Sequence, residues 1–165
     1  MTIEYSATSG SKGAADNTMP TTGPALVDDE ATDASREPAK PRVLIVDDSR
    51  AMRMVLGRLM KQRGFEVIEA DHGGKALDTL ATVGPVELML VDWNMPVMNG
   101  IELVGRVRDN PVNMETRILM VTTESQMRKI IDALETGADE YLMKPFTPES
   151  LGGKLDLLGF GTALD

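Results

Sequence analysis

Leu88-Met-Leu-Val-Asp92-Trp-Asn-Met-Pro96, continued by Met98-Asn-Gly100, is the stretch whose reading decides the fold. Four apolar residues run into a lone aspartate, and turn-formers follow at once. A short run that is apolar at every position predicts a strand buried on both faces, as in a parallel sheet. Such a strand delivers one carboxylate to the sheet edge where open α/β proteins collect their ligands.

Working outward, three more runs end the same way. Val43-Leu-Ile-Val46 ends on Asp47-Asp48, Arg117-Ile-Leu-Met-Val121 on Thr122-Thr123, and Glu140-Tyr-Leu-Met143 on Lys144-Pro145. The strand ends therefore supply an acid pair, an acid, a hydroxyl and an ammonium. Adjacent acids at the end of a buried strand are costly unless something positive binds them. Three carboxylates suit a hard divalent cation such as Mg²⁺. The hydroxyl and the ammonium suit an anion above that metal, with phosphate the obvious candidate.

Between the strands the apolar spacing turns helical, as in Met52, Val55, Leu56 and Leu59, and again in Met127, Ile130, Ile131 and Leu134. Ser49 is the expected N-cap of the first helix and Gly64 its stop. A strand is expected at 65–68, a helix near 74–83, the strand at 87–91, and helices near 100–108 and 125–136, with Gly137 just past the last of these. A final helix starts at about Pro148. Five strands alternating with five helices predict a doubly wound α/β fold with helices on both faces of a parallel sheet. Right-handed crossovers then gather the strand ends on one edge. Gly152-Gly153 falls inside the last helix and is expected to weaken it by roughly 1 kcal/mol per glycine relative to alanine. Gly159-Phe-Gly161 closes it.

Composition bounds the rest. The 165 residues are 42% apolar, enough for one domain with a core. With no cysteine, disulfides, thiolate metal sites and cysteine nucleophiles are excluded. No apolar run approaches the roughly 18 residues of a membrane span, and the polar start shows no apolar signal segment. A cytoplasmic protein without a membrane association is expected. The net charge of −9 argues against a nucleic-acid-binding surface. Residues 1–40 are rich in Thr, Ser, Ala, Gly, Asp and Pro and nearly free of large apolar side chains, so they read as a disordered tail. Residues 41–165 read as the folded domain.

The acid pair Asp47-Asp48, the run Asp92-Trp-Asn-Met-Pro, the Thr122 strand end and Tyr141-Leu-Met-Lys144-Pro145-Phe146 occur together, in order and at strand ends. In this combination residues 41–158 resemble the receiver domain of two-component response regulators, of the single-domain CheY-like kind. The resemblance implies a flavodoxin-like strand order, 2-1-3-4-5. It implies Asp92 as phosphoacceptor, with Asp48 and Asp92 binding Mg²⁺ directly, Asp47 through water, and the backbone carbonyl of Asn94 as a further ligand. Thr122 and Lys144 would contact phosphoryl oxygens, and the Lys144-Pro145 peptide would be cis. Thr122 and Tyr141 would form the switch, and Asn94 and Glu124 would tune dephosphorylation. The readout face would lie near Gln126, Lys129, Tyr141 and Met143. Thr123 departs from the smaller residue common beside the switch threonine.

Plainer readings exist for each feature. Asp47-Asp48 could cap a helix, since acids favour helix N-termini. Lys144 could be a solvated surface lysine and Thr122-Thr123 ordinary strand residues. Tyr141 could be a half-buried strand aromatic. His72, the one histidine, reads as a surface loop residue, and the twelve methionines as adaptable core. Trp93 is expected to be partly exposed beside the site. The convergence of acids, hydroxyl and ammonium favours the site over these.

The expected function is a phosphorylation-switched module. It takes its phosphoryl group from a histidine kinase and acts, as a monomer without an output domain of its own, on a protein partner such as the flagellar motor switch or a relay protein. Self-directed aspartyl phosphotransfer and autodephosphorylation are the only chemistry implied; an enzyme in the ordinary sense is not. A phosphorelay intermediate or phosphate sink is the alternative. A Mg²⁺-dependent aspartyl-phosphate phosphatase would carry Asp-x-Asp and a cap domain, and the first strand here gives Asp-Asp-Ser. A nucleotide or flavin binder would need a Gly-rich turn after the first strand.

Overall fold

The structure, a computed structural model, describes residues 37–161. The expected tail therefore lies outside the described residues except for Glu37–Lys40, which are exposed coil; residues 162–165 also lie outside. The elements run β1 (Arg42–Val46), α1 (Arg50–Gln62), β2 (Glu66–Ala70), α2 (Gly73–Val83), β3 (Leu88–Val91) and α3 (Gly100–Arg108). A 3-10 turn at Pro111–Asn113 precedes β4 (Arg117–Thr122), α4 (Met127–Thr136), β5 (Glu140–Met143) and α5 (Pro148–Leu157). All strand pairs are parallel and the sheet order is β2-β1-β3-β4-β5, the expected doubly wound, flavodoxin-like arrangement.

Strand alternation sorts the core into two layers. Leu44, Val46, Met89, Val91, Ile118 and Met120 meet apolar residues of α2, α3 and α4 on one face. Val43, Ile45, Leu88, Leu90, Leu119 and Val121 meet α1 and α5 on the other. All four residues of β3 are buried, which is why its sequence is apolar at every position.

The helix ends follow local chemistry. Ser49 caps α1 by accepting from the Met52 amide, as expected. His72 caps α2 through Nδ1, which accepts from the Lys75 amide at 3.0 Å, so this exposed loop histidine carries a structural role that the sequence reading missed. Thr147 and Ser150 close a reciprocal capping box on α5, with Pro148 inside the first turn.

One expectation needs correction. Helix α4 begins at Met127, because residues 123–125 form the bend after β4. Its apolar stripe is only partly core: Ile130 and Ala133 are buried, whereas Met127, Ile131 and Leu134 are exposed. Helix α5 includes Gly152-Gly153 and runs on to Leu157. A side chain at 152 would collide with the guanidinium of Arg63, which crosses α5 there, whereas 153 faces open space.

Candidate phosphoacceptor site

The ladders extend one residue past each strand and stop at the predicted site. Asp47 N–H donates to the Ala70 carbonyl at 3.2 Å, Asp92 N–H to Val46 at 2.9 Å, and Lys144 N–H to Thr122 at 2.8 Å. Since Val46 is paired with Val91, Asp47 and Asp92 emerge side by side from the central strands. Asp47, Asp48 and Asp92 carry carboxylate oxygens that lie within 4.8 Å of one another. Asp47 and Asp92 are buried and Asp48 is exposed.

Lys144 crosses from the end of β5 and bridges the two buried acids. Its Nζ donates to Asp47 Oδ2 at 2.8 Å and to Asp92 Oδ1 at 3.2 Å. Lys144 is thus no solvated surface lysine: it is pinned between two carboxylates, with its side chain only 13% exposed. The peptide after it, Lys144-Pro145, is cis. Asp47 Oδ1 also accepts from the Ser49 amide at 2.8 Å, and Arg53 donates to the Asp47 carbonyl, which ties the acid pair to the start of α1.

The electrostatics follow from this crowding. Burial lifts the Asp92 carboxyl above its ordinary value; Lys144 opposes this, while Asp47 and Asp48 add to it. Burial works against the Lys144 ammonium, but its hydrogen bond to Asp47 and the charges of Asp92 and Asp47 outweigh it and raise its pKa. Three carboxylates share one ammonium, so the cluster keeps an excess of negative charge with hard oxygen donors. That donor set fits Mg²⁺.

Thr122 is buried at the end of β4, and its Oγ1 accepts from the Glu124 amide at 3.0 Å, leaving the hydroxyl proton free to donate. Thr123 is exposed. Asn94 is exposed two residues past Asp92, and Trp93 is partly buried against the core. Gly100 opens α3 with its amide donating to the Trp93 carbonyl at 2.8 Å. A Cβ there would strike the Asp92 carbonyl and lie 2.9 Å from Met120 Cε, so only glycine lets α3 approach the backbone behind the site. Val97 turns the intervening loop with φ of 70°, closing a γ-turn from the Met98 amide to the Pro96 carbonyl at 2.7 Å.

Two features near the ends of β4 and β5 were invisible in the sequence. Glu124 is bound by Lys129 at 2.7 Å and by the Gln126 amide at 2.9 Å. Lys154 pairs with Glu140 at 2.9 Å and sits 4.8 Å from the centre of the half-buried Tyr141 ring. Both lysines lie near i+5 or cross-element partners, spacings that no short sequence rule picks out.

Residues 43–156 match the family model described as response regulator receiver domain. The chain belongs to that family. A chemotaxis protein CheY homolog of Campylobacter jejuni is 43% identical over 123 residues, covering 73% of this chain and 95% of that protein. Chemotaxis protein CheY1 of Helicobacter pylori is 40% identical over 118 residues, covering 71% and 95%. Among solved structures, the Vibrio cholerae chemotaxis protein CheY4 superposes with a TM-score of 0.69 at 37% identity, covering 73% of this chain and 99% of that one. This receiver domain is thus of the CheY-like type, a component of two-component signalling, and its acidic pocket lies at the sheet edge that the sequence singled out. Among the described residues no helix is long and apolar enough to cross a membrane.

Proposed function

We propose that this receiver domain takes a phosphoryl group on Asp92 from a histidine kinase and thereby switches the binding of a protein partner in the control of motility. The observation that carries this reading is the pocket itself: three carboxylates within 4.8 Å of one another with the Lys144 ammonium laid across two of them. Asp92 is the nucleophile, because it is the acid that ends the central strand and its lifted pKa leaves its oxygens more basic than an ordinary carboxylate's. An Asp92 oxygen bonds to phosphorus as the phosphorus–nitrogen bond of the phosphohistidine breaks, its electron pair returning to the imidazole. Lys144 releases Asp92 Oδ1 for that attack and pairs with a phosphoryl oxygen. The Thr122 hydroxyl donates to another.

Asp48, Asp92 and the Asn94 carbonyl would hold Mg²⁺ directly, with Asp47 through water. When bound, the ion screens the pocket's negative charge and stabilises that of the phosphoryl group in flight. The residue set is the one the resemblance implied, and the convergence of its three aspartates supports it.

Drawing Thr122 toward the phosphoryl group shifts the bend 123–125 and with it the start of α4. The readout face is then the exposed surface of α4, β5 and α5, where Met127, Ile131, Leu134 and Met143 present apolar side chains to a partner. Tyr141 adjoins it and takes part in the switch, while Asn94 and Glu124 set the lifetime of the acyl phosphate. The similarity to chemotaxis proteins favours a partner such as the flagellar motor switch over a relay protein, in the cytoplasm.

The test is to mix the protein with Mg²⁺ and acetyl phosphate and follow the intact mass. A single added phosphoryl group, labile to hydroxylamine and lost in Asp92→Asn, is the expected result. Steady hydrolysis of a phosphate ester that persists in Asp92→Asn would overturn the reading.

A further inference from the structure

We propose that Lys129 is a positioning residue for the reaction at Asp92: it holds and neutralises the Glu124 carboxylate, keeping a fourth negative charge from the mouth of the acidic pocket. The proposal rests on the reading of Asp92 as phosphoacceptor and adds a residue to it.

Glu124 stands two residues past Thr122, on the same sheet edge as Asp47, Asp48 and Asp92. An ionised glutamate at that place would oppose the approach of a phosphodonor, which is itself an anion. The structure shows its charge already committed. Oε2 accepts from Lys129 Nζ at 2.7 Å, and Oε1 accepts from the Gln126 amide at 2.9 Å. The Glu124 side chain is 12% exposed and that of Lys129 is 42% exposed, so the lysine folds over the acid from the solvent side. The hydrogen bond from Lys129, followed by the amide of Gln126, holds the carboxyl below its ordinary range.

The backbone makes this arrangement consequential. The Glu124 amide is the group that donates to the Thr122 hydroxyl oxygen. Anchoring the Glu124 side chain on the first turn of α4 therefore fixes the same residue whose amide orients Thr122. Lys129 touches neither the acids of the pocket nor Thr122, so its role is exerted through Glu124.

Removing Lys129 leaves Oε1 on the Gln126 amide and strips Oε2 of its cation. The carboxylate then adds uncancelled negative charge at the approach to the pocket. An ion pair of this exposure predicts a loading rate lowered about two- to five-fold in Lys129→Ala at low salt. The loss should vanish at about 1 M salt, where charges are screened within roughly 3 Å. Lys129→Arg should load like the wild type, and in a Glu124→Gln background Lys129→Ala should make no difference.

The experiment measures the second-order rate of acetyl phosphate loading by intact mass, for these variants, at low and high salt with fixed Mg²⁺. Circular dichroism checks that each variant is folded. Equal loading of Lys129→Ala and wild type at low salt overturns the proposal. So does a deficit that survives high salt or the Glu124→Gln background, because a merely structural lysine would behave in that way. A wild-type protein that takes no phosphoryl group overturns the reading of Asp92 and this proposal with it; a wild type that loads normally beside an insensitive Lys129→Ala overturns this proposal alone.

Discussion

Asp92→Asn should make the metal-free protein more stable. The carboxylate oxygens of Asp47, Asp48 and Asp92 lie within 4.8 Å, so each like-charge pair costs at least about 3.5 kcal/mol at an effective dielectric of about 20. Attraction between Asp92 and Lys144, 3.2 Å apart, returns roughly 5 kcal/mol on the same scale. The hydrogen bond from Lys144 and the screening of the exposed Asp48 offset the difference between two such repulsions and one attraction, so burial of the carboxylate, the largest influence on Asp92, decides the sign, and a gain of about 1 kcal/mol is expected for the neutral amide. The direction agrees with the lifted pKa of Asp92. Magnesium should reverse the order. A ligand at a hundredfold its dissociation constant stabilises the native state by about 2.7 kcal/mol, and the wild type offers the ion one more carboxylate than the variant does. The assay is urea unfolding followed by Trp93 fluorescence and by circular dichroism, in chelator and in excess Mg²⁺. An Asp92→Asn protein that is less stable than wild type in chelator would refute the reasoning, as would equal stabilisation of both proteins by Mg²⁺.

Adjacent glycines in α5 should respond unequally. Gly153→Ala faces open space and should stabilise by about 1 kcal/mol, or a melting temperature higher by roughly 3–5 °C, whereas Gly152→Ala must swing the flexible Arg63 guanidinium aside and should gain less, the shortfall vanishing when Arg63 is truncated. Gly100→Ala should cost about 1–3 kcal/mol, because the new methyl meets backbone that cannot rotate away, and should weaken Mg²⁺ binding measured by Trp93 fluorescence. Burial raises the Glu140 carboxyl, but the Lys154 hydrogen bond and the Tyr141 amide outweigh it and hold it below its ordinary value. A depressed carboxyl stabilises the fold above its unfolded pKa and loses that contribution as pH falls through the folded value. Lys154→Met should therefore cost at most about 1 kcal/mol at neutral pH, and thermal melts should show the gap closing as Glu140 is protonated.

Where the sequence was most apolar, it was most informative. The buried runs of β1 and β3 leave little choice of structure, so Asp47 and Asp92 could be placed at one edge from the sequence by counting residues. The α4 stripe was harder. Spacing shows that Met127, Ile130, Ile131 and Leu134 share a face, but not whether the sheet is wide enough to cover it, and three of the four remain exposed. Arg63, 89 positions away in the chain, cannot be seen from the sequence to cross α5 at Gly152. The same holds for His72 as a cap and for Lys129 and Lys154: a long side chain chooses its partner only after the backbone has folded.

The hydrogen-bond ladders that run one step beyond β1, β3 and β5 have a consequence for protein engineering. The acids and the lysine are located by strand length, not by a dedicated scaffold of side-chain contacts. Transplanting this chemistry onto another parallel sheet would thus be a problem of trimming three strands to a common finish line. By the same logic, a one-residue deletion within β3 should damage the pocket more than many substitutions around it, since it would withdraw Asp92 into the sheet while leaving every neighbour in place.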